Sequence, residues 1–294
     1  MSRSPESPAI SVTIERPCLY LVGTPIGNLE DVTLRALSVL RQVDVVLAED
    51  TRNSKKLLDR YGLSPPLEAF HQHNEAQRAR DVATRLFESR LAAALISDAG
   101  TPLISDPGYL LVQACHAQDV PVRYIPGASA ILGALTLSGL PCDRFTFEGF
   151  LPARHAARIA CLEKLDAETR TMVFFEAPHR VRAALADLRD VFGGERRAAV
   201  VRELTKLHET VYRGSLEEVL RAVAEDQNAS RGEIVLVVGG ADAAPRADEL
   251  PRRILKGLLR HVSRRDAVEI AAEVTGGSRN SLYAMALEMS PSDE

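Results

Sequence analysis

Cysteine is scarce in this sequence: Cys18, Cys115, Cys142 and Cys161 are the only four in 294 residues, and they lie far apart. There is no C-x-x-C pair and no histidine at zinc-ligand spacing, which argues against both a disulfide framework and a structural zinc site. A reducing cytosol is the compartment such usage fits, so the protein is expected to be cytoplasmic. An excess of positive charge is also missing. The 36 Lys plus Arg against 40 Asp plus Glu leave a net charge of −4, so any nucleic-acid contact has to come from a local patch. Long apolar runs are few. Tyr124–Cys142 has 19 uncharged residues, enough to span a bilayer, but Pro126, Gly127, Gly133, Gly139 and Pro141 interrupt it. It reads as a strand end and turn followed by a buried helix. Met1–Arg16 lacks the continuous apolar core of a signal peptide and is expected to be a flexible extension. Neither G-x-G-x-x-G nor G-x-x-x-x-G-K-[ST] occurs, which weakens dinucleotide and P-loop readings. No repeat period of roughly 20–50 residues is present either.

What remains is an ordinary globular composition, 46% hydrophobic and 26% charged, in a length that suggests about two domains. Continuous apolar runs at Cys18–Val22, Val43–Ala48, Leu91–Ile96 and Val120–Ile125 alternate with helical patterns such as Val32–Leu40 and Ser54–Arg60. That alternation predicts a mostly parallel sheet covered on both faces. A helix is expected from about Gly127 to Leu140. A second α/β series follows, with strands at Phe145–Glu148, Thr171–Phe175, Ala198–Glu203, Thr210–Arg213 and Ile234–Val238. Its helices are expected at Arg154–Leu165, Arg180–Val191 and Leu216–Ala224. The expected organisation is an extension over 1–16, α/β domains over 17–143 and 144–240, a linker over 241–249 and a helical domain over 250–294. The last contains Leu250–His261, Ser263–Val274 and Ser278–Glu288, with Ser263 and Ser278 as N-caps and Gly276–Gly277 as a turn, in a helix-turn-helix-like arrangement.

Three strand ends of the first series run into loops dense in glycine and proline: VGTPIGN (Val22–Asn28), LISDAGTPLISDPG (Leu95–Gly108) and YIPGASA (Tyr124–Ala130). One such loop is what a tight turn looks like. Three on consecutive crossover units point to a cofactor cleft, because ligands of parallel sheets bind outside the carboxyl ends of the strands and glycine lets them approach the main chain. Polar clusters follow other strands: AEDTR (Ala48–Arg52), HQHNE (His71–Glu75), FFEAPHR (Phe174–Arg180) and RELTKLHE (Arg202–Glu209). Each alone is more ordinarily a solvated turn. His71 and His73, with only Glu75 behind them, give little for a metal, and none is expected. Glu176 stands out, since an unbroken apolar strand delivers its carboxylate towards the crevice, a costly position without a role or a partner. Arg252, Arg253, Lys256, Arg260, Arg264 and Arg265 form an acid-free basic stretch around His261. It is either a solvated helix face or a phosphate-contacting patch, each contacted phosphate adding about 0.7–0.9 to the salt slope of binding.

Taken in order, VGTPIGNLEDVTLRAL, AEDTR, SDAGTPLISDPG, IPGASA, FFEAPHR, RELTKLHE and GEIVLVVGG resemble the bacterial 16S rRNA cytidine-2′-O-methyltransferases of the tetrapyrrole methylase superfamily. The resemblance spans about Cys18–Gly240 and extends to the helical tail. DAGTP followed by SDPG, and APHR after an apolar strand, separate this branch from the tetrapyrrole enzymes, which usually carry G-D-P where this chain has Gly100, Thr101 and Pro102. Phe175 and Ala177 stand where the pattern has Tyr and Ser. The resemblance implies two α/β domains of the tetrapyrrole methylase type with an S-adenosylmethionine cleft between them, a small all-α C-terminal domain and a homodimer. The implied activity is methylation of a cytidine ribose 2′-hydroxyl in the decoding region of 16S rRNA, free or in the small ribosomal subunit. On the first loop it implies cofactor contacts from Gly23, Thr24 and Pro25. On the second it implies Asp98, Ala99, Gly100, Thr101, Pro102, Ile104 and Ser105, and beyond it Ser129, Ala130, Phe175 and Glu176. Asp50, Glu176, His179 and Lys206 are the candidates for proton transfer or ribose positioning, with Arg52 and Arg180 for phosphate contact. Two other readings share these features: a small-molecule tetrapyrrole or corrin methyltransferase, and a non-catalytic RNA-binding ribosome assembly factor.

Overall fold

The first apolar runs become five short strands, β1 (Cys18–Val22), β2 (Val45–Ala48), β3 (Leu67–Ala69), β4 (Ala92–Ile96) and β5 (Val122–Ile125). All pair in parallel, in the order β3-β2-β4-β1-β5. A computed structural model of the chain describes residues 13–241 and 246–289. Most of the expected extension lies outside them, but its last residues are held: Arg16 pairs with Asp44 at 2.9 Å and Glu15 with Arg123 at 2.8 Å. β3 has no counterpart among the expected strands, because its three residues LEA are short, half polar and on the sheet edge, where no apolar run is required.

Alternation along the strands feeds both faces. Tyr20, Val22, Val46, Ala94 and Ile96 pack with Val39 and Leu40 of α1 (Leu34–Gln42) and Leu58 of α2 (Thr51–Arg60). Leu19, Leu47, Ala93 and Leu95 pack on the other face with Val82 and Leu86 of α3 (Gln72–Glu88) and Leu111 and Cys115 of α4 (Tyr109–Ala117). This is the doubly covered parallel sheet that unbroken apolar strands demand. Local caps set the helix starts: the Thr33 hydroxyl accepts from the Ala36 N–H at 3.1 Å, which opens α1 after Val32.

The second series builds a mixed sheet, β6-β7-β10-β8-β9, from β6 (Phe145–Phe150), β7 (Thr171–Glu176), β8 (Arg197–Arg202), β9 (Thr210–Ser215) and β10 (Ile234–Val238). Only β6 and β7 are parallel. One face buries Met172, Phe174, Val200 and Leu236 under α6 (His155–Leu165), α7 (Val181–Phe192) and α8 (Leu216–Glu225). The other face, with Val173, Ala199, Val201, Val235 and Val237, is covered by Ala134 and Leu135 of α5 (Ala130–Ser138). That helix lies before the expected boundary at 143, yet it packs on the second sheet. Its apolar residues run all round the helix and leave no sequence-level face to say which sheet it serves. The described residues up to Gly239 form one compact unit.

The second unit, from Gly240, contains α9 (Arg246–Leu258), α10 (Arg264–Thr275) and α11 (Arg279–Met289) around Leu255, Val268, Ala271, Leu282 and Met285. Ser263 caps α10, accepting from Asp266 N–H at 3.2 Å, and Gly276 ends it in the left-handed region at φ 68°. α9 begins at Arg246, earlier than Leu250, so Pro251 lies inside it. No helix among the described residues is long and apolar enough to cross a membrane. Within Tyr124–Cys142 the chain forms the end of β5, a loop and the nine residues of α5.

Candidate active site

The strand order places β4, β1 and β5 side by side, so the three glycine-rich loops leave the sheet as neighbours. They are locked to one another through the main chain. Thr24 and Gly100 exchange backbone hydrogen bonds at 2.8 and 3.2 Å, and the Thr24 hydroxyl donates to the carbonyls of Ser97 (3.2 Å) and Gly100 (3.3 Å). Gly23 and Gly127 touch backbone to backbone. A Cβ on Gly23 would sit 2.7 Å from the Gly127 nitrogen, so no larger residue fits. Gly23, Thr24 and Pro25 are buried in this lock, and from the first loop Ile26 is the residue that reaches the cleft.

The second loop is bent by four residues with positive φ: Gly100 (81°), Leu103 (75°), Ser105 (66°) and Gly108 (133°). For the two non-glycine residues this costs about 1–3 kcal/mol each and must be held from outside. The holder is Glu75, a buried carboxylate from the HQHNE cluster, which accepts from the N–H groups of Gly108 (2.9 Å) and Leu110 (2.8 Å) at the start of α4. A negative charge suits that helix end.

Between the first-sheet loops and the second sheet lies a cleft of about 410 Å³. Ala99, Gly100, Thr101, Ile104, Ser105, Ser129 and Ala130 line it from one side, and Phe150, Phe175, Glu176, Val201, Leu204, Glu233 and Val235 are among those lining it from the other. Nine of the expected cofactor positions are therefore in its wall. Asp98 is not; its carboxylate accepts from Asp50 N–H at 3.2 Å and Asn53 Nδ2 at 3.1 Å. Pro102 is buried behind the loop. Residues that no sequence pattern singled out, Ile26, Asp106, Ile131, Phe150, Leu204 and Glu233, complete the cleft. Ile26, Asp106 and Leu204 lie within loops already marked, Asp106 as the second acid of its loop after Asp98, whereas Phe150 and Glu233 are brought in by strand pairing and Ile131 by α5.

The charged content of the wall is acidic. Glu176 has a fully buried side chain. Its Oε1 accepts from Arg180 Nη2 at 2.5 Å and Ala177 N–H at 2.6 Å, while its Oε2 is buried without a protein partner. Burial, reinforced by the charges of Glu49 and Asp98 and opposed by a Ser97 hydrogen bond, pushes the Asp106 carboxyl up to about 6. Glu233 adds a third carboxylate, and no Lys, Arg or His is among the lining residues.

The remaining candidates lie outside this wall. Asp50 caps α2, accepting from Arg52 N–H at 2.8 Å, and Arg52 is exposed. His179 is exposed in the turn after β7, and Arg180 is engaged with Glu176. Lys206 pairs with Glu203 at 2.8 Å and Glu233 at 3.4 Å. Burial would lower its pKa, but the Glu203 hydrogen bond and the charge of Glu233 outweigh it and the net shift is upward, so Lys206 is a fixed cation rather than a base. In the C-terminal unit Arg252, Arg253, Lys256, Arg260, Arg264 and Arg265 are all exposed, Arg252 pairing with Glu288 at 3.1 Å. No group of three or more His, Cys, Asp or Glu able to hold a metal occurs among the described residues.

A parallel sheet whose neighbouring strand ends close against a mixed sheet over one acidic, apolar-walled cleft defines a two-sheet α/β enzyme with a small-molecule site at its centre. The chain belongs to the tetrapyrrole (corrin/porphyrin) methylases, whose family model matches residues 18–220, and residues 244–290 match the RsmI C-terminal HTH domain. It is 48% identical over 273 residues to the ribosomal RNA small subunit methyltransferase I of Pseudomonas aeruginosa, covering 92% of this chain and 96% of that one. The protein of the same name from Escherichia coli O157:H7 is 45% identical, covering 92% and 94%. Among solved structures, a conserved hypothetical protein from Aeropyrum pernix K1 superposes with a TM-score of 0.59 at 18% identity, over 93% of this chain and 96% of that one. Uroporphyrin-III C-methyltransferase from Thermus thermophilus, complexed with S-adenosylhomocysteine, superposes at 0.51 with 19% identity, over 76% and 97%. These two likenesses are of fold.

Proposed function

We propose that this protein transfers the methyl group of S-adenosylmethionine to the ribose 2′-hydroxyl of a cytidine in the decoding region of 16S rRNA. Kinship to proteins named ribosomal RNA small subunit methyltransferase I supports the substrate class. The observation that carries the cofactor is the composition of the cleft. Its walls are apolar, and its charged groups are the carboxylates Asp106, Glu176 and Glu233 with no cation among them. With Glu176 and Glu233 already paired to Arg180 and Lys206, what this wall offers a cationic ligand with an apolar body is its hydrophobic lining, the Asp106 carboxylate and the unpartnered Glu176 Oε2. The unpartnered Glu176 Oε2 is a ready acceptor for an ammonium group, and Ile26, Ile104, Ile131 and Leu204 would hold an adenosyl moiety.

When bound, the cofactor supplies a methyl group already activated by a positive sulfonium. The protein's main contribution is then alignment, since holding the hydroxyl in line with that methyl is worth about 7–11 kcal/mol. The locked loops serve this by fixing the cleft before the ligand arrives. Removing the hydroxyl proton would add about 10²–10⁴-fold. With Glu176 assigned to the ammonium group, Asp106 is the carboxylate we assign to receive it; titrating at about 6, it is in its basic form at neutral pH. The exposed arginines of the C-terminal helices, with Arg52, would meet the phosphates. The protein is read as acting in the cytoplasm as a homodimer.

Mass spectrometry of 16S rRNA from cells lacking the protein tests this directly. One cytidine ribose methyl should disappear and return with the wild-type gene. Unchanged rRNA methylation would remove the proposal, and calorimetry showing no binding of S-adenosylmethionine at millimolar concentration would favour the assembly-factor reading.

A further inference from the structure

Phe150 has no explanation in packing. It ends β6, an edge strand, lines the cleft and is 58% exposed, although large aromatic side chains ordinarily bury most of their surface. Its direction is set by an irregularity. Phe147 pairs with Val173, but the next registered pair is Gly149 with Phe174, and then Phe150 with Phe175, so β6 carries one extra residue. Gly149 takes φ 69°, with nothing within 4 Å of where its Cβ would be, so the bulge is a backbone requirement rather than a packing one. In an unbroken strand, Phe147 and Phe150, three apart, would face opposite sides of the sheet. The bulge brings both to the side of Phe175. Phe147 meets that ring edge-on at 4.9 Å and 66°, and Phe150 lies against it at 5.5 Å and 60°. Bulges beside active sites commonly serve to re-aim one side chain. Here the re-aimed side chain is an exposed ring at the edge of an apolar-walled cleft, braced from behind by two further rings.

We infer that Phe150 is the stacking platform for the base of the nucleotide being methylated. This rests on the RNA-methylation reading above and deepens it. A 2′-hydroxyl can enter the cleft only if its nucleotide leaves the stack, and an unstacked base is typically received on an aromatic face. The platform gives orientation without base identity, because every base has a π-face.

The chain contains no tryptophan, so F150W makes a single-tryptophan reporter at the platform itself. With the cofactor site saturated by S-adenosylhomocysteine, titration of F150W with a single-stranded oligoribonucleotide containing the target cytidine should quench its emission. Methylation is measured on naked rRNA and small ribosomal subunits from cells lacking the protein. F150A and F150L should each lower kcat/KM about five- to a hundredfold, the worth of one base–aromatic stack. F150Y and F150W should stay within about threefold of wild type. An F150A or F150L protein as active as wild type, or an active F150W whose emission ignores RNA, overturns the platform. Wild-type protein that methylates neither substrate overturns the parent reading instead.

Discussion

The two sheets contribute to the cleft in different currencies. The first, all parallel, offers main chain: loops at the ends of β1, β4 and β5 whose glycines allow backbone to touch backbone at Gly23–Gly127 and Thr24–Gly100. The second, mixed, offers side chains: Phe150, Phe175 and Glu176 from β6 and β7, and Val201 and Val235 from β8 and β10. Their supports differ in the same way. The loop of the first is held by one carboxylate, Glu75, on two backbone N–H groups. In the second, Arg158 on α6 is held by an ion pair with Asp187 on α7 at 2.5 Å, both buried, plus the carbonyls of Pro152 and Ala153. A cleft built this way separates fixed positioning from recognition, and each half can be perturbed alone.

The largest effect is expected in the second half. R158A leaves the Asp187 carboxylate buried without its main partner and should cost about 3–5 kcal/mol in denaturant unfolding. A smaller loss would mean that His155, 3.1 Å from Asp187, or water takes over. Next comes a change of opposite sign in the first half. Because Asp106 titrates at about 6 in the folded chain, against an ordinary value of 3.8, the folded state binds more protons than the unfolded one between those values. Stability therefore falls as pH rises through that window. D106N should be more stable than wild type above pH 6, by about 1–2 kcal/mol for a partly solvated carboxylate, with the difference vanishing near pH 4. Thermal melts of both proteins across this range check the sign as well as the size. G23A presses a methyl group into the Gly127 backbone and should cost about 1–3 kcal/mol. It should also weaken S-adenosylmethionine binding by calorimetry, and unchanged affinity would mean the loop lock does not shape the cleft. The smallest effect belongs to the helical unit. R260A/R264A should leave folding and cofactor affinity unchanged while lowering the salt slope of RNA binding by roughly 0.7 for each phosphate that is no longer neutralised.

How much of this is legible in the sequence follows the same division. The loops that carry Ala99, Gly100, Thr101, Ser129 and Ala130 could be marked because glycine, proline and small residues at the end of an apolar run announce a main-chain site, and the family resemblance picked out the residues within them. Glu176 could be marked because a carboxylate closing an apolar strand is conspicuous. The same reasoning could not tell that Thr24 would be spent on Ser97 and Gly100, or that Asp50 would cap a helix, since a hydroxyl or carboxylate reads alike whether it faces a ligand or a neighbouring loop. Phe150 and Glu233 were out of reach for another reason. They arrive through pairings between strands tens of residues apart and through one extra residue in β6.

By itself the sequence determined most of the strands and helices, that the first sheet is parallel, and which of its edges carries the glycine-rich loops, because hydrophobic period and glycine placement act over a few residues. Only the tertiary structure decided that α5 serves the second sheet, that Glu75 is an anchor, and that three carboxylates and a bulge-turned phenylalanine share one cleft. Those outcomes depend on burial and register between distant segments, and neither is written in any local stretch of chain.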